Sequence, residues 1–295
     1  ISDKFLKQLT DAYRRIRNTC RFILGNLYDF DPSSDAVALD EMPGIDRFAL
    51  HTLQDLVRKC RKAYEDYEFH VIYHALHNYC ALDLSAFYLD VLKDRLYTSP
   101  SKSAGRRSAQ TVMAIILERI VRIMAPILSF TAEEVWQHMP SASREEESVH
   151  MVELPEINEK WHDPSLAESW NRLLRVRGEV AKAVEAARAQ KRIGHSLDAS
   201  VTIAASGDLY RQLAPFSDDL RSILITSEAE LVEGSPPEGA VTGEIPGLAV
   251  SVAPAEGPKC ERCWVHDLSV GEDDRHPGIC RRCRGALEVM ATDAG

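Results

Sequence analysis

Four cysteines near the end of this 295-residue chain constrain its fold more than any other feature. Cys260 and Cys263 are separated by two residues, sixteen residues follow, and Cys280 and Cys283 repeat the spacing. Two residues between cysteines allow both thiolates to reach one metal ion, and two such pairs complete a tetrahedron. A segment this short cannot bury a core of its own, so metal binding should supply most of its folding free energy.

The metal expected at the four cysteines is one structural zinc ion. Four thiolates leave no position for water, so zinc here would fix neighbouring side chains and perform no chemistry. In a chain without an export signal, such a cluster indicates metal rather than disulfides. His266 and His276 fall inside the segment, but they are less favoured as ligands because four thiolates are available. The sixteen-residue gap suits a short β-hairpin.

Hydrophobic periodicity predicts a mainly α protein: an antiparallel helical bundle, then a small α/β junction unit, then the four-cysteine zinc hairpin. We expect the bundle in residues 1–140, a connector in 141–162, the junction domain in 163–255 and the zinc module in 256–295. Within the bundle, Asp46 is the expected cap of the second long helix, and Thr131 with Glu134 forms a capping box. Three cysteines lie singly on predicted helices, where they are expected to be part of the core. They are Cys20, Cys60 and Cys80.

Cationic residues gather locally, although the net charge of −10 argues against a protein that coats nucleic acid without selectivity. The first helix carries a stripe of four cations with no acid between Ala12 and Leu27: Lys7, Arg14, Arg17 and Arg21. This α1 stripe suits a phosphate backbone. A solvated helix face explains the same pattern, and the sequence leaves both interpretations open.

Further cations lie in the zinc module and on a long helix from Ser165 to Lys191 with the turn after it. In the module, Arg262, Arg281 and Arg282 lie near Trp264, a combination suited to phosphate contact and base stacking. Trp264 packing against its own knuckle is the alternative. The helix and turn hold seven cations against three glutamates, a local charge of +7 − 3 = +4. Three cationic surfaces on an acidic chain favour selective docking of a folded nucleic acid.

Catalytic signatures are absent from the sequence. We find no Gly-rich phosphate loop, no dinucleotide fingerprint and no nucleophile elbow, so no catalytic residue is assigned. His70 and His74 form an i, i+4 pair, but a third ligand and a His-Glu-x-x-His pattern are missing, which favours ordinary polar contacts. The chain begins with Ile1, has no signal-peptide pattern and lacks an apolar run of the roughly 18 residues that span a bilayer. We therefore expect a fragment of a longer cytoplasmic protein without a membrane partner.

Five stretches of the chain resemble the C-terminal portion of bacterial isoleucyl-tRNA synthetases. They are ISDKFLKQLTDAYRRIRNTCRFILGNLYDFDP, SAFYLDVLKDRLYTSP, MAPILSFTAEEVWQHMP, ARAQKRIGHSLDASV and KCERCWVHDLSVGEDDRHPGICRRC. The resemblance covers essentially the whole chain. The bundle motifs are shared with valyl, leucyl and methionyl relatives, whereas the terminal Cys-Glu-Arg-Cys-Trp module singles out isoleucine.

The resemblance implies a role in holding tRNA(Ile), specifically its anticodon arm. The family's full enzyme activates isoleucine with ATP and Mg²⁺, transfers it to tRNA and edits misactivated valine. Its two signatures, His-Ile-Gly-His and Lys-Met-Ser-Lys-Ser, have no match here, so catalytic and editing domains, with ATP and Mg²⁺, are expected outside this chain. We expect a monomer that does not bind DNA.

Two other interpretations remain open. Formamidopyrimidine-type DNA glycosylases end in a similar four-cysteine hairpin, but they use a processed N-terminal proline, and this chain begins Ile-Ser. The second interpretation is a purely structural domain, whose zinc module only packs against the bundle.

Overall fold

A computed structural model describes residues 3–144, 146–234 and 239–293. Contacts divide the chain into two compact units, Ile1–Leu96 with Ser101–Ala167, and Tyr97–Pro100 with Glu168–Gly295. The mainly α fold class is confirmed, with a small mixed sheet and a C-terminal cysteine cluster. The finer predicted boundaries at 140, 162 and 255 stay predictions.

The first unit is the predicted helical bundle. Each long helix buries the apolar residues that recur at three- and four-residue intervals, including Ile16, Cys20 and Ile23 on the first helix. A ten-residue π-helical segment joins two of the helices. In chain order the helices are α1 (Asp3–Asn26), α2 (Pro32–Asp35), α3 (Gly44–Glu65), α4 (Phe69–Asn78), the π-helical segment (Tyr79–Tyr88), α5 (Leu89–Thr98), α6 (Ala104–Met124) and α7 (Ser129–His138).

The three single cysteines lie in this core, as predicted. Cys20, Cys60 and Cys80 are fully buried. Burial raises the pKa of Cys20 to about 12 and that of Cys60 to about 11, because an apolar surrounding disfavours the thiolate. These thiols therefore act as small apolar side chains and stay protonated.

Two predicted helix caps are wrong. Helix α3 begins at Gly44, so Asp46 lies inside its first turn, and α7 begins at Ser129, so Thr131 lies inside that helix. Instead of capping α7, the Thr131 hydroxyl hydrogen-bonds to Tyr13 of α1 at 3.0 Å. The local sequence pattern predicts a helix cap at both positions, but hydrogen-bond partners that are distant in sequence determine their roles.

Asp46 is the centre of a buried polar cluster. Its side chain is fully buried and accepts hydrogen bonds from Tyr88 at 2.8 Å, from Ser108 at 2.6 Å and from both terminal nitrogens of Arg95 at 2.8 and 3.2 Å. The cluster ties α3 to the π-helical segment, α5 and α6. A buried carboxylate is tolerated only where such donors surround it.

Replacing Asp46 with alanine should destabilise the bundle by about 3 to 5 kcal/mol, because it leaves the Arg95 guanidinium inside without its counter-ion. Urea unfolding followed by helical circular dichroism measures the change. Asp90→Ala, which breaks an exposed pair with Lys93 at 2.7 Å, is the matched control and should leave the midpoint nearly unchanged. Equal urea midpoints for the two variants would contradict the stabilising role of Asp46 in the bundle.

The second unit combines a small sheet with helices. Strand β1 pairs in parallel with β2 and antiparallel with β4, and β3 pairs antiparallel with β4, giving the order β2-β1-β4-β3. The parallel pair requires a crossover, which two short helices provide. The elements are α8 (Pro164–Ala189), β1 (Ala199–Ala205), α9 (Gly207–Leu213), α10 (Leu220–Leu224), β2 (Glu228–Glu233), β3 (Val241–Thr242), β4 (Leu248–Pro254) and α11 (Arg281–Asp293).

The sequence predicts β1 and β4 well and β2 only in part. Alternating apolar residues predict strands at residues 201–205 and 248–252, which the structure contains, and a further strand from Ser222 to Leu231. The first residues of that further stretch form α10, and β2 begins at Glu228. The separating residue, Ile225, ends the helix in the left-handed conformation, with φ 57°. A β-branched residue rarely adopts that conformation, so the sequence carries no signal for this helix end. In the described part of the chain, no helix is long and apolar enough to cross a membrane.

Candidate metal centre and cationic surfaces

The four predicted zinc ligands meet in the second unit. The sulfur atoms of Cys260, Cys263, Cys280 and Cys283 all lie within 4.8 Å of one another, and those of Cys263 and Cys280 are 3.8 Å apart. A zinc ion with bonds of about 2.3 Å to sulfur requires a tetrahedron edge of about 3.8 Å. Cys263 is half-buried and the other three are buried. The donor set and spacing fit one structural zinc.

Each cysteine pair forms a tight turn with the same backbone hydrogen bond. The amide of Trp264 donates to the carbonyl of Cys260 at 2.9 Å, and the amide of Arg284 donates to the carbonyl of Cys280 at 3.0 Å. The Cys280 amide also points at the Cys260 sulfur, at 3.4 Å. Helix α11 begins at Arg281, so Cys283 lies in its first turn.

The cysteines share protons in a way that suits a metal-binding cluster. A hydrogen bond from Cys283 lowers the pKa of Cys263 to about 4, and the same contact raises the pKa of Cys283. Desolvation raises the pKa of Cys280. One thiolate is therefore already favoured, and the remaining thiols would release their protons when a cation binds.

The two histidines considered as competing ligands do not join the cluster. His266 contacts the Gly257 carbonyl through Nδ1 at 2.9 Å and the Asp198 carboxylate through Nε2 at 3.3 Å. His276 is exposed. Sequence reasoning missed the carboxylate partner, because Asp198 lies 68 positions from His266.

The segment between the cysteine pairs consists mostly of turns. Lys259 and His266 form an isolated antiparallel bridge that encloses the first pair, and α11 begins within the second pair. Gly257, two residues before the bridge, has φ 85°, and a Cβ there would come within 2.7 Å of the Asp267 backbone. The zinc-binding turn therefore requires glycine at this position.

Trp264 points outward from the first cysteine pair. Its side chain is 61% exposed, and its backbone is left-handed, with φ 65°. This conformation is uncommon for a bulky residue and is held by the hydrogen bond to Cys260. The ring is thus largely available to a partner, and the alternative that it simply packs the knuckle is not what the structure describes.

The three arginines of the predicted zinc-module surface differ in their surroundings. Arg281 is 70% exposed and donates to both oxygens of Glu272 at 3.0 and 2.9 Å. Arg282 is exposed. Arg262 is half-buried, and it donates to the Thr98 carbonyl at 2.6 Å.

The α1 stripe lies on the surface of the first unit. Lys7, Arg14 and Arg21 are exposed, and Arg17 is partly exposed. The lack of acids between Ala12 and Leu27 predicts that the charge of the stripe is not locally neutralised, and this prediction is wrong for two members. Arg14 pairs with Asp11 one turn earlier, and Arg17 pairs with Glu134 of α7 at 3.3 Å. Sequence separation conceals the second acid.

The cations of α8 are largely paired as well. Arg172, Lys182 and Arg188 each contact a glutamate on the same helix. Arg177 donates to the Ile223 carbonyl at 3.0 Å and Arg192 to the Val252 carbonyl at 2.8 Å. These contacts give α8 a structural role in addition to its net positive charge.

Comparison with known proteins decides the family. The family model described as "Anticodon-binding domain of tRNA ligase" matches residues 46–203, more than half of the chain. The chain belongs to this tRNA ligase family. A second model, described as "Zinc finger found in FPG and IleRS", matches residues 257–284 and includes all four cysteines.

Relatives named isoleucine–tRNA ligase are similar to the chain over nearly its whole length. The relative from Geobacter sulfurreducens is 49% identical over 288 residues, that from Syntrophotalea carbinolica 51% over 289, and that from Moorella thermoacetica 47% over 294. These alignments cover 97–98% of this chain and 31% of each relative. The chain thus spans about a third of these tRNA ligases and corresponds to their C-terminal third.

A second cluster of metal-binding residue types, His51, Asp55 and His162, lies in the bundle unit of this tRNA ligase chain. The His51 Nδ1 atom accepts the Asp163 amide at 2.9 Å, so in the neutral ring the proton sits on Nε2, which is 3.6 Å from Asp55. A metal would need the lone pair of that same nitrogen. Arg58 also forms an ion pair with the Asp55 carboxylate at 3.0 Å. The cluster therefore does not fit a metal and instead fastens the segment before α8 to α3.

Replacing Cys280 with serine should abolish stoichiometric zinc binding, because a neutral hydroxyl replaces one of four thiolates. Zinc content by atomic emission on the purified chain measures it, with one equivalent expected for the unaltered protein. Cys60→Ala, which alters a buried cysteine outside the cluster, is the control and should keep its zinc. Zinc retained by Cys280→Ser would contradict the four-thiolate assignment.

Stability should fall as pH drops below about 6.5, the ordinary pKa of histidine, because desolvation lowers the pKa of His51. The folded state then binds fewer protons than the unfolded state, so this contribution is present above that pH and lost below it. His51→Asn keeps an acceptor for Asp163 without titrating and should flatten this part of the melting profile. His51→Leu lacks the acceptor and should lower melting temperatures throughout; a profile unchanged in His51→Asn would exclude His51 as the source.

Proposed function

We propose that this chain is the tRNA-recognition portion of an isoleucine–tRNA ligase and that it holds the anticodon arm of isoleucine tRNA. The observation that carries the proposal is the zinc-fixed surface with the exposed Trp264 ring beside Arg281 and Arg282, in a chain that matches an anticodon-binding domain. An aromatic ring stacks on unpaired bases, and guanidinium groups contact phosphates. Both are features of an anticodon loop.

The α1 stripe would contact the tRNA backbone. Lys7 and Arg21 are exposed, and Arg14 and Arg17 are held by surface ion pairs that exchange readily for a phosphate. In the zinc module, Arg262, Trp264, Arg281 and Arg282 would form the other contact surface. Arg262 would contribute least, because it already donates within the protein.

The proposed mechanism is positional. In the complete enzyme, charging of tRNA with isoleucine at the expense of ATP, with Mg²⁺, would take place in a catalytic domain outside this chain. Holding the anticodon arm fixes the distant acceptor end, and a fixed orientation lowers the barrier by removing rotational and translational freedom beforehand. The zinc would keep the contact surface rigid when bound. We further propose a cytoplasmic, monomeric protein without DNA or membrane partners, with domain boundaries at residues 140, 162 and 255.

The DNA glycosylase interpretation shares only the four-cysteine module, because the matching zinc-finger description names FPG beside IleRS. The helical bundle and its anticodon-binding match favour the tRNA ligase. A purely structural zinc module is disfavoured by the outward-facing Trp264.

Titration of the zinc-loaded chain with isoleucine tRNA, an unrelated tRNA and duplex DNA at one salt concentration tests the proposal. We expect the tightest binding to isoleucine tRNA. Trp264→Ala should weaken it by about 1 to 3 kcal/mol through lost stacking. Arg21→Ala should weaken the binding of both tRNAs equally, and it should reduce the slope of log affinity against log salt concentration by about one.

Lys62→Ala is the control for the charge change, because Lys62 is an exposed cation on α3 outside both surfaces. It should leave tRNA binding unchanged. Equal affinity for both tRNAs would refute isoleucine specificity, and preference for duplex DNA would support the glycosylase alternative.

A further inference from the structure

Large apolar side chains lie exposed around one end of the helical bundle. Two belong to the N-terminal half of α1, two to the turn between α3 and α4 with the first residue of α4, and two to the turn between α6 and α7 with the start of α7. Each is at least 37% exposed. We call these six side chains the end patch: Leu9, Tyr13, Tyr67, Phe69, Ile127 and Phe130.

Two hydrogen bonds show that these segments lie at the same end of the bundle. The Tyr13 hydroxyl contacts the Thr131 hydroxyl in the first turn of α7 at 3.0 Å. A short turn joins α6 to α7, and the Ile123 carbonyl near the end of α6 accepts the Tyr64 hydroxyl near the end of α3 at 2.7 Å. The N-terminal half of α1, the α6–α7 turn and the α3–α4 turn therefore meet at one end of the first unit.

The apolar face of α1 extends beyond the part that the bundle covers. Ala12 and Ile16 are buried on this face, whereas Leu9, about one turn earlier, is 39% exposed. On the neighbouring α7, the Phe130 side chain is 94% exposed. Amphipathic helices place their apolar residues against a partner. The uncovered continuation of the face therefore indicates a partner that is not part of this unit.

The α3–α4 turn holds its aromatic rings outward at a conformational cost. Tyr67 has a left-handed backbone, with φ 59°, and is 79% exposed. The Phe69 ring contacts the rings of Tyr64 and Tyr67 edge-on, with centroids 6.2 and 6.3 Å apart. Bulky residues rarely adopt positive φ, and such strain is often found where a surface has a function. The rings thus form a preorganised aromatic surface.

The chemistry of the end patch fits a protein surface better than RNA. Leu9 and Ile127 are aliphatic, so they offer no ring for stacking on a base. Exposed acids adjoin Tyr67 in its turn: Glu65, Asp66 and Glu68. Their charge would repel the phosphates of a nucleic acid. Contiguous exposed apolar side chains with aromatic residues among them are typical of protein–protein interfaces.

The similar tRNA ligases indicate which protein surface covers the patch. The region that matches this chain is their C-terminal third, so most of each relative precedes it. A preceding segment would join the bundle through the N-terminus of α1, at the end where the patch lies.

We propose that the end patch is the docking surface for the portion of the ligase that precedes this chain, and that this contact sets the orientation of the two parts. The facing surface is apolar, with basic residues opposite the acidic turn, because complementary charge favours one orientation. The inference rests on the proposed function in taking this chain to be part of such a ligase. It does not depend on which tRNA is bound.

The first test compares two tyrosines of nearly equal exposure within the complete ligase. Tyr67 is 79% exposed, and Tyr28, which follows α1 in the chain, is 80% exposed. Hydroxyl-radical oxidation without RNA, read by mass spectrometry, should be several-fold slower at Tyr67 than at Tyr28. Equal oxidation rates would overturn the proposal. Protection of Tyr67 that needs added tRNA, or that disappears on dilution, would also overturn it, because RNA or a second copy would then be the occupant.

Serine variants of the complete ligase test what the contact does. Phe130→Ser and Tyr67→Ser change exposed side chains, so the bundle should stay folded. Transfer of isoleucine to tRNA should fall by up to about 100-fold, because the acceptor end is no longer aligned with the catalytic domain. ATP–pyrophosphate exchange, which reports activation without tRNA, should be unchanged. Tyr28→Ser is the matched control and should keep both activities.

Transfer at the unaltered rate in both serine variants would overturn the proposal. The proposed function fails separately from this inference. A ligase whose Tyr67 is protected without RNA, but which shows no preference for isoleucine tRNA, would refute isoleucine specificity and support the docking surface.

Discussion

Convergence of four cysteine sulfurs on one point is the constraint on which the C-terminal part of the molecule depends. The apolar cluster of this segment is small: the partly buried Val270, Ile279 and Cys263 pack against the three buried cysteines. Metal–sulfur bonds therefore replace a hydrophobic core. Trp264 directly follows the first cysteine pair and α11 begins within the second, so the cluster positions both.

The two units illustrate different solutions to the same problem. The bundle is stabilised by apolar helix faces and by a few buried polar clusters, of which the one around Asp46 joins three helices and the π-helical segment. The zinc-binding segment relies on metal-ligand chemistry and on the contact of His266 with the Asp198 carboxylate. Desolvation raises the pKa of Asp198, but hydrogen bonds from the amides of His195 and Gly194 lower it, and the net pKa is lowered. In both units, polar groups that lie far apart in sequence fix the relative positions of elements.

Sequence patterns predicted what depends on local spacing. The periodicity of α1, α3 and α8, the alternation in β1 and the Cys-x₂-Cys pairs were sufficient to predict the fold class and the convergence of the four cysteines. Partners distant in the chain were not predictable: Glu134 beside Arg17, Asp198 beside His266 and Asp163 beside His51 require the folded structure. A single sequence cannot distinguish an aspartate that caps a helix from one that is buried in the first turn of that helix, as Asp46 is. The left-handed Ile225 and Trp264 have no sequence signal, since such residues normally avoid this conformation.

The left-handed backbone at Trp264 has a kinetic consequence. A side chain at positive φ costs about 1 to 2 kcal/mol relative to an ordinary conformation, and the metal-organised turn bears that cost before any ligand arrives. A ligand that stacks on this ring would therefore meet a backbone that is already held in this conformation. Encounter and alignment, rather than rearrangement of the protein, would then set the rate of association, and affinity differences among ligands would be expressed mainly in how long each remains bound.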